Sequence, residues 1–85
     1  MVVPSNFSVN LSLGEKIVYV LSLLKKATAD EIAMEIMELE GVSTEEGVAE
    51  LTIEVQQELQ KLHDEGAATF VTEHDKKVKY FLKHS

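Results

Sequence analysis

The amino-acid sequence predicts a small α+β domain that is mostly helical, three helices followed by a β-hairpin. Three observations carry this. Ser/Thr-x-x-Glu patterns stand at Ser12 to Glu15, Thr28 to Glu31 and Ser43 to Glu46, each ahead of apolar residues at helical spacing. In such a pattern the hydroxyl accepts a first-turn N–H while the glutamate reaches back to the cap. Gly41 and Gly66 follow the second and third of these segments, and glycine is the residue type that most often ends a helix. After Gly66 the apolar period drops to two, the period of a strand.

The elements follow in order along the chain. Residues 1–11 read as an N-terminal arm, in which Phe7, Val9 and Leu11 alternate with Ser8, Asn10 and Ser12 and suggest a short strand that covers the first helix. Residues 12–85 read as one domain. The first helix is predicted from about Leu13 to Lys26, with Leu13, Ile17, Val20, Leu21 and Leu24 on one stripe. Its segment Ile17 to Leu24 is apolar enough for a buried strand, but the cap before it and the Lys25-Lys26 pair after it decide for helix. Val18, Tyr19 and Leu23 lie off the stripe, so this helix needs cover on a second side.

The second helix is predicted from about Ala29 to Glu40, with Ile32, Ala33, Ile36 and Leu39 inward. The third is predicted from about Thr44 to Glu65, with Val48, Leu51, Val55, Leu59 and Leu62 inward; because Gly47 weakens its first turn, a start near Thr52 is the alternative. Beyond Gly66, Ala68, Phe70 and Thr72 alternate with Thr69, Val71 and Glu73. Then Val78, Tyr80 and Leu82 alternate with Lys79, Phe81 and Lys83, and a turn at His74-Asp75-Lys76 joins the two runs.

Composition narrows the function. The chain of 85 residues has no cysteine, which excludes disulfides, thiolate metal sites and thiol nucleophiles. No apolar run nears the roughly 18 residues of a membrane span, and the start lacks the basic and apolar regions of a secretion signal, so a cytoplasmic location with no membrane partner is expected. All eight basic residues are lysine, against fifteen acids, for a net charge of −7. The charge is unevenly placed: thirteen acids and four lysines lie between Leu13 and Glu65, but two acids and four lysines between Gly66 and Ser85.

The order helix, helix, helix, hairpin, with Ala27-Thr28-Ala29-Asp30-Glu31-Ile32-Ala33 opening the second helix, Leu59-x-x-Leu62-x-x-x-Gly66 closing the third and Val78-Lys79-Tyr80-Phe81-Leu82 as the last strand, resembles the winged helix-turn-helix superfamily. The resemblance spans about Ser12 to Leu82. It implies a third helix that enters the DNA major groove and a hairpin wing that touches phosphates. The third helix departs from that role, because from Thr44 to Glu65 it carries seven acids and one lysine. Phosphate neutralisation by lysine and arginine supplies most nonspecific affinity for DNA, and a chain without arginine cannot make the commonest base contact. Opposite its apolar stripe the helix presents Glu46, Glu50, Ile53, Gln57 and Asp64, flanked by Glu54 and Lys61.

Two surfaces are therefore weighed. A protein-contact surface for a protein partner or a second copy draws on Phe7, Val9, Tyr19, Leu23, Met34, Met37 and Ile53. A DNA-contact surface, disfavoured by charge, draws on Gln57, Lys61, Lys76, Lys77 and Lys79. His63, His74 and His84 have no paired spacing for a metal, the row Glu50, Glu54, Glu58 reads as a solvated helix side, and no glycine-rich phosphate loop or nucleophile elbow occurs. The expectation is a non-enzymatic interaction module without a cofactor.

Overall fold

A computed structural model describes residues 3–83 and contains α1 (Leu13–Leu24), α2 (Ala29–Leu39), α3 (Glu45–Asp64), β1 (Ala68–Thr72) and β2 (Val78–Leu82). Three helices followed by an antiparallel hairpin is the expected layout. The capping boxes at Ser12 and Thr28 form in full: each hydroxyl accepts from the backbone N–H three residues on, and Glu15 and Glu31 return to the cap N–H. The third helix differs by one residue. Its cap is Thr44 and not Ser43, which puts Gly47 where the reciprocal glutamate would stand and leaves half a box.

The helix runs unbroken through Gly47, so the start near Thr52 is not adopted. The reason for a glycine there is the space above it. A Cβ at Gly47 would lie 2.5 Å from Met37 Cε and 2.8 Å from Thr44 Oγ1, so Met37 lies across the start of α3 in the position it would have to leave for a larger residue.

The core lies among the three helices and the base of the hairpin. Ile17, Val20, Leu21, Ile32, Ile36, Val55 and Leu59 are fully buried, and Ala68 brings the start of β1 against them. Leu24 and Leu39, expected inward, are exposed. Each is the last residue of its helix, where the chain turns away and no further layer covers it.

Two connections were not expected. α1 stops at Leu24 and not Lys26, because Lys26 N–H donates to Leu24 C=O at 2.8 Å around Lys25, whose φ of 70° and ψ of −47° define a γ-turn of positive φ. This turn swings Ala27 onto β2, where Ala27 and Tyr80 exchange both backbone hydrogen bonds. The sheet thereby gains a one-residue third strand. Among its described residues the arm forms no strand: Leu11 N–H donates to Ser8 C=O, a turn that interrupts the alternation and leaves Val9 61% exposed. Phe7 still covers α1, its ring centroid 5.9 Å from that of Tyr19.

The hairpin turn is as expected in place. Lys76 N–H donates to Glu73 C=O, Glu73 N–H to Lys77 C=O, and Lys76 takes the left-handed position at φ 66°, the geometry of a three-residue loop with a bulge. An ion pair of Lys16 and Glu40 at 2.5 Å ties the start of α1 to the end of α2. Among the described residues no helix is long and apolar enough to cross a membrane.

Candidate protein-contact surface

Helix N-termini expose N–H groups and a positive partial charge, which is why phosphates bind there. In this protein those ends carry acids of their own. At α2, Thr28 Oγ1 donates to Asp30 Oδ1 at 2.6 Å and accepts from Glu31 N–H, while Glu31 Oε1 accepts from Thr28 N–H at 2.8 Å. At α3, Thr44 Oγ1 accepts from Gly47 N–H at 3.0 Å beside Glu45 and Glu46. A phosphate approaching either end would meet carboxylates.

Two open grooves run along this front. One, of about 580 Å³, lies between α2 and the first half of α3, with Met34, Val48 and Ala49 apolar and Asp30 and Glu45 at its rim. The second, of about 330 Å³, lies between the start of α2, the middle of α3 and the hairpin, and is lined by Thr28, Asp30, Gln56, Lys77, Val78 and Tyr80. Asp30 borders both, so they form one continuous front. Ile53, 58% exposed, stands one turn from Ala49 and one from Gln56 on that side of α3. From Tyr80 in the second groove, Phe70 and His63 continue a row of tilted ring contacts, with centroids 5.9 and 5.3 Å apart.

The residues expected to form a protein contact divide. Met34 and Ile53 belong to this front, whereas Phe7, Tyr19 and Met37 are half-buried in the protein's own packing. Val9 and Leu23 are exposed, on the turn of the arm and near the end of α1.

The residues expected to contact DNA do not come together. Lys61 lies on the opposite side of α3, in a groove with Gly14, Glu15, Glu58 and Glu65. Lys77 lines the front, but Lys79 alternates with Val78 and Tyr80 and faces the other side of the hairpin, and Lys76 occupies its tip. Gln57 is exposed but does not line the groove; Gln56 does. Gln57 lies opposite the buried stripe of α3, whereas the hairpin and α2 bracket a face to one side of it, and one residue is a rotation of about 100°. Asp30 and Gln56 carry no contact signal in the sequence, and Val78 and Tyr80 are legible there only as hairpin residues, because only the hairpin's fold-back brings the four together. No family model, no curated protein and no solved structure matches this chain.

Proposed function

We propose that the chain is a non-enzymatic winged-helix interaction module that binds protein through the front formed by α2, α3 and the hairpin. The observation that carries this reading is the chemistry of that front: the apolar residues Met34, Val48 and Ala49 lie beside Asp30 and Glu45, with the exposed Ile53 one turn along α3 from Ala49, on a molecule of net charge −7. An apolar groove with a carboxylate rim suits a protein segment that offers an apolar side chain next to lysine or arginine. It repels a polyphosphate.

The competing reading, a transcriptional regulator that touches DNA through the hairpin, has one feature in its favour, the lysines at 76, 77 and 79. Duplex titration at low salt separates the two. At about 50 mM salt, where phosphate-contacting proteins bind tightly, no sequence-selective complex is expected, and any residual binding should vanish when Lys76, Lys77 and Lys79 are changed to glutamine. A sub-micromolar, sequence-selective complex lost on Gln56→Ala or Gln57→Ala would overturn the proposal.

A further inference from the structure

β2 is bonded on both sides, to β1 along its length and to Ala27 at Tyr80, so the outer side of β1 is the open edge of the sheet. The direction of its unpaired groups follows from the ladder. Glu73 N–H donates to Lys77 C=O and Lys83 N–H donates to Ala67 C=O, so with the observed register the bonded pairs are Val71 with Lys79 and Thr69 with Phe81. The N–H and C=O of Phe70 and Thr72 therefore point away from β2.

Proteins usually blunt such an edge with lysine, proline or a bulge. β1 reads Ala-Thr-Phe-Val-Thr, with no charge and no proline, and Phe70 and Val71 are 48% and 39% exposed.

We infer that two copies of this chain associate by antiparallel pairing of β1 with β1 about a two-fold axis at Val71. This rests on the proposed function only in taking the molecule to be a protein-binding module, and it uses a different surface. In this register Phe70 of each copy exchanges two backbone bonds with Thr72 of the other, and the two Val71 side chains meet as a close, non-bonded pair. Antiparallel pairing also decides the occupant by charge. It carries the second copy's hairpin tip, where Lys76 and Lys77 outnumber Asp75 and where Glu73 is already paired with Lys26, to the level of residues 65–67. There α3 ends, with Asp64, Glu65 and the negative end of the helix. An unrelated extended strand would satisfy the edge but has no reason to present a basic tip at that place; the chain's own hairpin does.

Sedimentation of the full chain across micromolar to millimolar concentration tests this. The expected result is a reversible change from a 9.5 kDa monomer to a species of twice that mass. Val71→Lys and Val71→Glu, each opposing itself across the axis, should each raise the half-association concentration about fivefold or more, and an equimolar mixture of the two should restore association. Thr72→Pro removes an N–H that is unpaired in the monomer but used twice in the dimer, and should weaken association about tenfold or more with the helical circular dichroism intact. A wild-type chain that stays monomeric throughout, or a dimer indifferent to the Val71 and Thr72 substitutions, overturns the inference. Monomeric behaviour leaves the groove reading standing, whereas a Gln56-dependent duplex complex would remove that reading and leave β1 pairing untouched.

Discussion

Replacing Lys25 by glycine should stabilise the protein, because a helix exit of positive φ favours glycine. α2 and α3 both end on a glycine of positive φ, Gly41 at 75° and Gly66 at 79°. In each case the next residue's N–H closes back to the last turn, Val42 to Met37 C=O and Ala67 to Leu62 C=O. α1 makes its exit with a lysine at φ 70° and ψ −47°. A backbone region sparsely populated by L-residues costs about 1–3 kcal/mol, and glycine's greater loss of chain entropy offsets roughly 0.5–1 kcal/mol of any relief. Lys25 is exposed and makes no ion pair among the described residues, so little else is lost. Removing its charge near the helix C-terminus costs a few tenths of a kcal/mol at the surface, and Lys25→Ala, which keeps the Cβ, measures that part alone. The Gly variant should exceed the Ala variant by about 1 kcal/mol, a rise in Tm of roughly 4–8 °C for a domain of this size. Urea and thermal unfolding of the three proteins give the comparison. Equal stability of the Gly and Ala variants would refute the strain at Lys25.

Further substitutions test the packing and the caps. Gly47→Ala should fail to deliver the usual helix gain of about 1 kcal/mol, because the methyl would displace Met37 Cε and crowd the capping Thr44 hydroxyl; part of the gain should return in a Met37→Ala background, read as a coupling in a double-mutant cycle. Phe7→Ala should lower unfolding free energy by about 1–2 kcal/mol through loss of the half-buried pair with Tyr19, whereas Val9→Ala, on the exposed turn, should change it little. Glu15 is held below the usual carboxylate range by the Ser12 backbone N–H and then by the Ser12 hydroxyl. The sign follows: its contribution is present above the unfolded pKa and lost as pH falls through the folded one, so the advantage of wild type over Glu15→Gln in Tm should shrink below about pH 4.

The elements that could be read from sequence are those whose signals are local. A hydroxyl and a glutamate three residues apart make a cap whatever the rest of the chain does, and Ser12 and Thr28 are as expected. At the third start two hydroxyls compete, Ser43 and Thr44, and Thr44 caps the helix although it gives up the glutamate; Met37 lies over Gly47, a contact between residues of different helices that no window of sequence contains. Leu24 and Leu39 fit the helical period but not the burial, since the period says which face a residue is on and not whether a neighbour extends far enough to cover it. The bridge of Ala27 to Tyr80 has no pattern, because one residue has no period.

The same local signals bear on function. Capping boxes and acidic first turns make the helices legible, and they also fill the positive ends of α2 and α3 with Asp30, Glu31, Glu45 and Glu46, where a phosphate backbone would otherwise be held. A chain that begins its helices in this way gains stability at each start and loses an anion site in the same step. The reverse applies to β1. Alternation shows that Ala68 to Thr72 is a strand, but whether an uncharged strand is a buried necessity or an open edge depends on which side of β2 is already taken. Ala27 takes the other side of β2, by way of the turn at Lys25, and the β1–β2 register leaves Phe70 and Thr72 facing outward with their backbone groups unpaired by β2. Lys25→Gly, which keeps the turn, should leave association through β1 unchanged while it raises stability.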